Sequence, residues 1–231
     1  TKEPEMLKML SEIFENCHSH ASRFASLADS ANHAAEQMAF LSATFSERST
    51  GYSLQMEPCF MPVLTKEILQ KYVRKDLPGR EIFLTQLQDY TRQLAKQKMV
   101  YICSMEGILR FLQNGRIPEI PDGLYEIPSV SDRIQIVKAL LAPERATRLR
   151  ILKNSIGNTE TPVYLYITPK TGTLRLPLAT DQMVNLQIQE TGMLEAFYDF
   201  CENLDEEMFY SFEEAENIVE EEMNNQGWKA E

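Results

Sequence analysis

From Glu5 to Thr50 the chain contains neither glycine nor proline, and one seam of small and apolar residues runs through that stretch. Leu7, Leu10, Phe14, Cys17, Ala21, Phe24, Ala28, Ala31, Ala35 and Met38 follow one another at alternating spacings of three and four. This is the a/d repeat of a coiled coil, and it puts all ten side chains on one stripe of a helix. Pro4 suits the first turn, where its missing N–H is no loss. As one continuous helix, residues 5–46 would reach roughly 60 Å at about 1.5 Å per residue. The seam therefore predicts a long dimerisation helix and a homodimer. Two features pull the other way. NCHSH (16–20) is rich in poor helix formers, and the second half of the seam is mostly alanine. A helical hairpin docked on the rest of the chain is the alternative.

Beyond MEPCFMP (56–62), an irregular connector, the pattern stays helical to about Lys98. Thr65 is placed to cap a helix carrying Ile68, Leu69, Tyr72 and Val73 on one face, and LPG (77–79) ends it. Phe83, Leu87, Tyr90 and Leu94 form the stripe of the next helix. Then the pattern changes. VYICS (100–104) reads as a strand running directly into a helix over 105–114, and 116–129 is a proline-rich loop. Ser131 is placed to cap a helix reaching about Ala142. Four strand-like runs follow: TRLRILK (147–153), VYLYIT (163–168), TLRLPL (173–178) and VNLQIQ (184–189). In the last two, alternation puts leucines inward and Arg175, Pro177 and the glutamines outward. The turn PKTG places Gly172 where a hairpin favours positive φ. Helices over 192–203 and 212–225 end the chain. The expected class is α+β. Residues 1–97 form a helical dimerisation and linker region, and 98–231 a small mixed domain with a largely antiparallel sheet.

Charge narrows the function. The net charge is −11, and ten acids with no cation lie between Glu202 and Glu222, so the remainder is nearly neutral. DNA binding depends on Lys and Arg at phosphates, so this chain alone is not expected to grip DNA. The eight cations between Lys66 and Lys98 face four acids and read as a solvated helix face. No run approaches the ~20 apolar residues of a membrane span, and TKEPEMLKML lacks the apolar core of a signal peptide. Four scattered cysteines without a CxxC spacing predict reduced thiols in a cytoplasm.

A strand running directly into a helix, as at Ser104, is the usual place for a cofactor cradle or a catalytic elbow. SMEGIL has one glycine and no cation, and neither GxGxxG nor a P-loop occurs anywhere. Nor does it match GxSxG. Ser104 is expected to act as an N-cap in a packed corner. The functional alternative has the helix start (Ser104, Met105, Glu106) and the end of the 147–153 strand (Asn154, Ser155) contacting a small effector. His18, His20 and His33, the only histidines, read as exposed polar residues without metal-ligand spacing. The chain is expected to be no enzyme and to need no cofactor or metal. A cryptic carboxylate site or a stand-alone interaction scaffold are the competing classes.

KMVYICSMEGILRFLQNG (98–115), IPSVSDRIQIVKALL (127–141), TRLRILKNS (147–155) and LQIQETGMLEAFYDFCENL (186–204) together resemble the non-DNA-binding region of bacterial transcriptional regulators. These regulators carry a Cro/repressor-like helix-turn-helix (the XRE family) at their N-terminus. The resemblance covers half to two-thirds of the chain and lies in the order of elements rather than in one motif. It implies a cytoplasmic sensor and dimerisation portion that answers a small-molecule or protein effector. DNA would be reached only through a helix-turn-helix, which this sequence does not contain.

Overall fold

The structure, a computed structural model, describes residues 27–44, 50–117, 119–121, 123–145, 147–155, 164–177 and 183–228. Within them lie seven α-helices: α1 (Leu27–Thr44), α2 (Lys66–Tyr72), α3 (Arg80–Lys96), α4 (Met105–Asn114), α5 (Val130–Leu140), α6 (Thr191–Glu202) and α7 (Phe212–Asn225). Seven strands form one sheet: β1 (Thr50–Gln55), β2 (Lys98–Ser104), β3 (Leu149–Leu152), β4 (Tyr164–Ile167), β5 (Gly172–Pro177), β6 (Met183–Ile188) and β7 (Phe209–Tyr210). Their order is β6-β5-β4-β1-β2-β3-β7. β1, β2 and β3 run parallel, while β1–β4, β4–β5, β5–β6 and β3–β7 pair antiparallel. The class is mixed α+β with a mostly antiparallel sheet, as expected.

Local chemistry sets the helix ends. Thr65 accepts a hydrogen bond from the Ile68 amide at 3.3 Å, and α4 closes on Gly115 at φ 70°. Ser211 and Glu214 form a reciprocal capping box at α7, at 3.2 and 2.7 Å. Its inner face is Ala215, Val219 and Met223, which leaves the acids of that run outward. One cap differs from expectation. Ser129, not Ser131, accepts from the Asp132 amide, so α5 begins two residues earlier. Gly172 also serves another purpose than turn geometry, because its φ is not positive. A Cβ there would meet Ile167 Cδ1 at 2.7 Å and Leu194 Cδ2 at 3.2 Å. Close packing, not the turn, requires the glycine.

Two larger corrections concern the N-terminal half. β1 is absent from the sequence reading, yet it sits at the centre of the sheet between β2 and β4. The boundary expected at 97/98 therefore runs through the sheet, and one apolar cluster draws on residues from Ala31 to Met223. The seam is corrected as well. Ala31 and Met38 are 5% and 7% exposed and belong to that cluster, with Ala35 packed against it. α1 lies on α3, so over this stretch the heptad stripe buries itself in its own chain rather than against a second copy. Ala28 is half-buried on the same helix. Leu7, Leu10, Phe14, Cys17, Ala21 and Phe24 lie outside the described residues.

The sheet has two unlike faces. α6 packs against β1 and β4 on one, over Ile102, Leu165, Ile167 and Ile188, with Leu194 and Cys201 facing in. The other helices share the main cluster on the opposite face, where Phe60 stacks on Phe111 with centroids 3.9 Å apart. Among the described residues no helix is long and apolar enough to cross a membrane.

Candidate functional site

The corner at Ser104 is fully engaged. Its side chain is buried, donates to the Met56 carbonyl at 2.9 Å and accepts from the Gly107 amide at 3.1 Å. Met105 is buried beside it. Gly107 has no room for a Cβ, which would lie 2.3 Å from the Met56 oxygen. A hydroxyl that already donates and accepts within the fold has no role left for an effector, so Ser104 and the buried Met105 are corrected to packing residues. The structure does bring Glu106 and Ser155 together, at 3.0 Å. They sit on the surface, where Arg110 at 2.7 Å already partners the Glu106 carboxylate, and Asn154 is exposed nearby.

The unusual chemistry lies elsewhere, on the sheet face beneath α1 and α3. On β1 the buried positions are Gly51, Ser53 and Gln55, while Tyr52 and Leu54 are only half-buried. On β5 Thr173 and Arg175 are 0% and 2% exposed, and Leu174 is half-buried. Both strands therefore turn their polar side into the core. The register lines these residues up across the strands. Ser53, Tyr166 and Thr173 form one row, and Gln55, Tyr164, Arg175 and Asn185 form the next. The result is a buried polar layer roofed by helices.

A chain of hydrogen bonds runs through it. Arg175 Nε donates to Asn185 Oδ1 at 3.1 Å, and Asn185 donates to Gln37 on α1. Arg175 also hydrogen-bonds Tyr166, whose hydroxyl donates to Gln55 Oε1 at 3.3 Å. Gln55 Nε2 reaches Glu119 Oε1 at 3.5 Å, and the Cys59 thiol donates to Glu119 as well. No carboxylate lies within ion-pair distance of Arg175 among the described residues, although burying a guanidinium is costly without one. Four further polar atoms in or beside the layer are buried without a hydrogen-bond partner among the described residues: Ser53 Oγ, Thr173 Oγ1, the Tyr101 hydroxyl and Glu119 Oε2. Each such atom costs on the order of 1–3 kcal/mol. Native structures hold few such atoms, and this one holds others outside the layer at Thr91, Tyr125, Thr171 and Arg133.

Arg133 shows what a structural arginine looks like in the same protein. It is 7% exposed, and its two terminal nitrogens donate to the Gln113 and Pro128 carbonyls at 2.6 and 3.4 Å, closing the end of α4, while its Nε is buried without a partner among the described residues. Arg175 is held by side chains instead, Asn185 and Tyr166.

Burial shapes the titration of the layer. It pushes the Glu119 carboxyl above the ordinary range, against the opposing Cys59 hydrogen bond and the field of Arg175. It also drives the Cys59 thiol well up, with Glu119 adding to the effect, so this cysteine stays protonated and is no thiolate nucleophile. His33 corrects the reading of exposed histidines. It is half-buried on α1, and burial together with Arg175 lowers its pKa despite Glu36. A narrow cleft with room of about 20 Å³, enough for a single water, reaches Cys59 and Tyr101 between Arg145 and Arg148.

Glu119 yields a pH prediction. Because its folded pKa is raised, the native state holds a proton that the unfolded chain has released, and stability falls as pH rises above the ordinary 4.5. Glu119→Gln is neutral throughout. The urea midpoint of the variant relative to the parent is expected to climb between pH 4.5 and 8, and a pH-independent difference would contradict the assignment.

The sequence reading missed Arg175, Glu119, Gln55, Ser53 and Thr173. The signal in TLRLPL was its period, which is silent on which side faces the core. Among the described residues no group of three or more His, Cys, Asp or Glu is arranged to hold a metal. No protein-family model, curated protein or solved structure matches this chain.

Proposed function

We propose that this chain is the effector-binding, non-catalytic portion of a cytoplasmic bacterial transcriptional regulator, and that the effector occupies the polar layer beneath α1. The observation that carries the reading is the inversion of β1 and β5, which buries Arg175 with no carboxylate partner among the described residues, beside hydroxyls that have no partner among them either. Natural cores keep such groups where function requires them. The resemblance of 98–204 to the sensor region of helix-turn-helix regulators agrees with it.

The roof supplies the output. α1 is joined to the layer through Gln37 and Asn185, and its sequence continues the heptad pattern of residues 5–26. An effector that binds one placement of α1 better than another would shift the segment before it, and with it any DNA-reading domain attached there. In this reading the long helix pairs with a second copy through Leu7–Phe24, and only its last turns dock on the core. Light scattering of the chain with and without residues 1–26 tests that part: a dimer that becomes a folded monomer is expected. Removing 1–46 would instead strip a core helix and report only unfolding.

Thermal unfolding tests the sensor reading, using amino acids, di- and tricarboxylates, sugar phosphates and nucleotides as probes at millimolar concentration. A ligand at a hundred times its Kd adds about 2.7 kcal/mol. In a domain of this size that raises Tm by about 5–10 °C. At least one probe is expected to do so for the parent and not for Arg175→Met/Asn185→Leu. Equal shifts in both proteins, or none in either, would overturn the reading.

A further inference from the structure

We propose that the effector is a small zwitterion, its carboxylate held by Arg175 with the Thr173 hydroxyl and its ammonium held by Glu119. The inference rests on the layer being the effector site and adds the chemical class of ligand. Arg175 presents a flat fork of donors matched to a carboxylate, with Asn185 on its Nε and the Tyr166 hydroxyl as its other partner. Thr173 lies two residues before it on the same face of β5, and its hydroxyl, at 0% residue exposure, has no partner among the described residues.

Glu119 supplies the opposite end. Its Oε2 receives nothing among the described residues, and the rest of the carboxyl is met by a long contact of 3.5 Å from Gln55 to Oε1, by the Cys59 thiol and by its own backbone amide. An ionised carboxylate has about four acceptor sites, and Oε2 is the side left for a further donor. Gln55 and Tyr166 stand between the two charges and keep them out of ion-pair contact.

That separation selects the ligand. A simple anion at Arg175 would feel the Glu119 charge, and a simple cation at Glu119 would feel the guanidinium. A neutral solute would leave both ends short of a counter-charge in a low-dielectric layer. A molecule carrying a carboxylate at one end and an ammonium at the other meets both. Of the other groups facing the layer, Tyr90, Tyr164 and Cys59 stay protonated through burial, and half-buried His33 is held toward its neutral form. The one further carboxylate against these groups is Glu57, which accepts from the Tyr164 hydroxyl at 3.4 Å and is paired with Arg110 at 3.2 Å.

The test is calorimetric titration of the full chain with the ω-amino acids from glycine to 6-aminohexanoate, beside unbranched carboxylates of equal length. One amino-acid length is expected to bind at least tenfold tighter than its carboxylate. Glu119→Gln should erase that ratio while leaving the carboxylate unchanged. Arg175→Met/Asn185→Leu, shown folded by circular dichroism, should bind neither. Equal binding of the two series by the parent, or no binding of either at millimolar concentration, would overturn the zwitterion. The sensor reading would survive that failure if another class of probe gave a Tm shift that the Arg175 variant loses.

Discussion

Gly51→Ala is expected to leave little folded protein, with a loss of more than about 4 kcal/mol, at the far end of what single substitutions do. Gly51 lies on β1 where the chain passes over β4. A Cβ built there falls 2.1 Å from the Ile167 carbonyl oxygen, 3.0 Å from its carbon and 3.1 Å from Thr168 Cα. All three obstacles are backbone, so no rotamer change relieves them. Relief requires β1 and β4 to part, and β1 joins the parallel and antiparallel halves of the sheet. Total stabilities of single domains run about 5–15 kcal/mol, so such a loss consumes much of the whole. Gly79→Ala is the control. Gly79 has φ 71° but nothing within 4 Å of a Cβ, so only the left-handed strain of about 1 kcal/mol applies. Urea unfolding of the two variants should separate them widely, and similar midpoints would show that the β1–β4 approach is looser than described.

Gly51 also shows where sequence reasoning reached and where it stopped. Elements with both a periodic apolar face and a chemical end signal were legible. α4 was bounded by Ser104 and Gly115, and α7 matched its expected span of 212–225 with Ser211 before it. β1 carries neither sign. Its buried residues are Gly51, Ser53 and Gln55, so hydrophobicity marks the wrong side and nothing in the run signals a strand. β5 failed in a subtler way. Its alternation was right, but leucines were placed inward by rule, and the core on that side is polar. The heptad seam was a third kind of case. A stripe at three and four spacing says that a helix buries one face, and it does not say whether against a second copy or against α3. The positions that defeated the rules β1 and β5 share are the ones that build the polar layer.

Arg175→Met/Asn185→Leu is expected to raise stability, by about 1–4 kcal/mol, the range seen when buried charged groups are replaced together by apolar ones of similar volume. Both partners of the 3.1 Å hydrogen bond leave at once, so neither is stranded. Gln37 is half-buried on α1 and can turn to water, while the Tyr166 hydroxyl keeps its bond to Gln55. Arg175→Met alone would strand the Asn185 carbonyl and confuse the result. A gain in stability joined to a loss of ligand response is the signature of a group retained for binding.

The urea unfolding free energy of Arg175→Met/Asn185→Leu against the parent, without added ligand, therefore bears most directly on what the buried polar layer is for. A variant at least as stable as the parent is the predicted result. A loss of 3 kcal/mol or more, on the scale of about 3–5 kcal/mol that follows the breaking of a structural buried charge network, would show that Arg175 holds the fold together and would contradict the effector site.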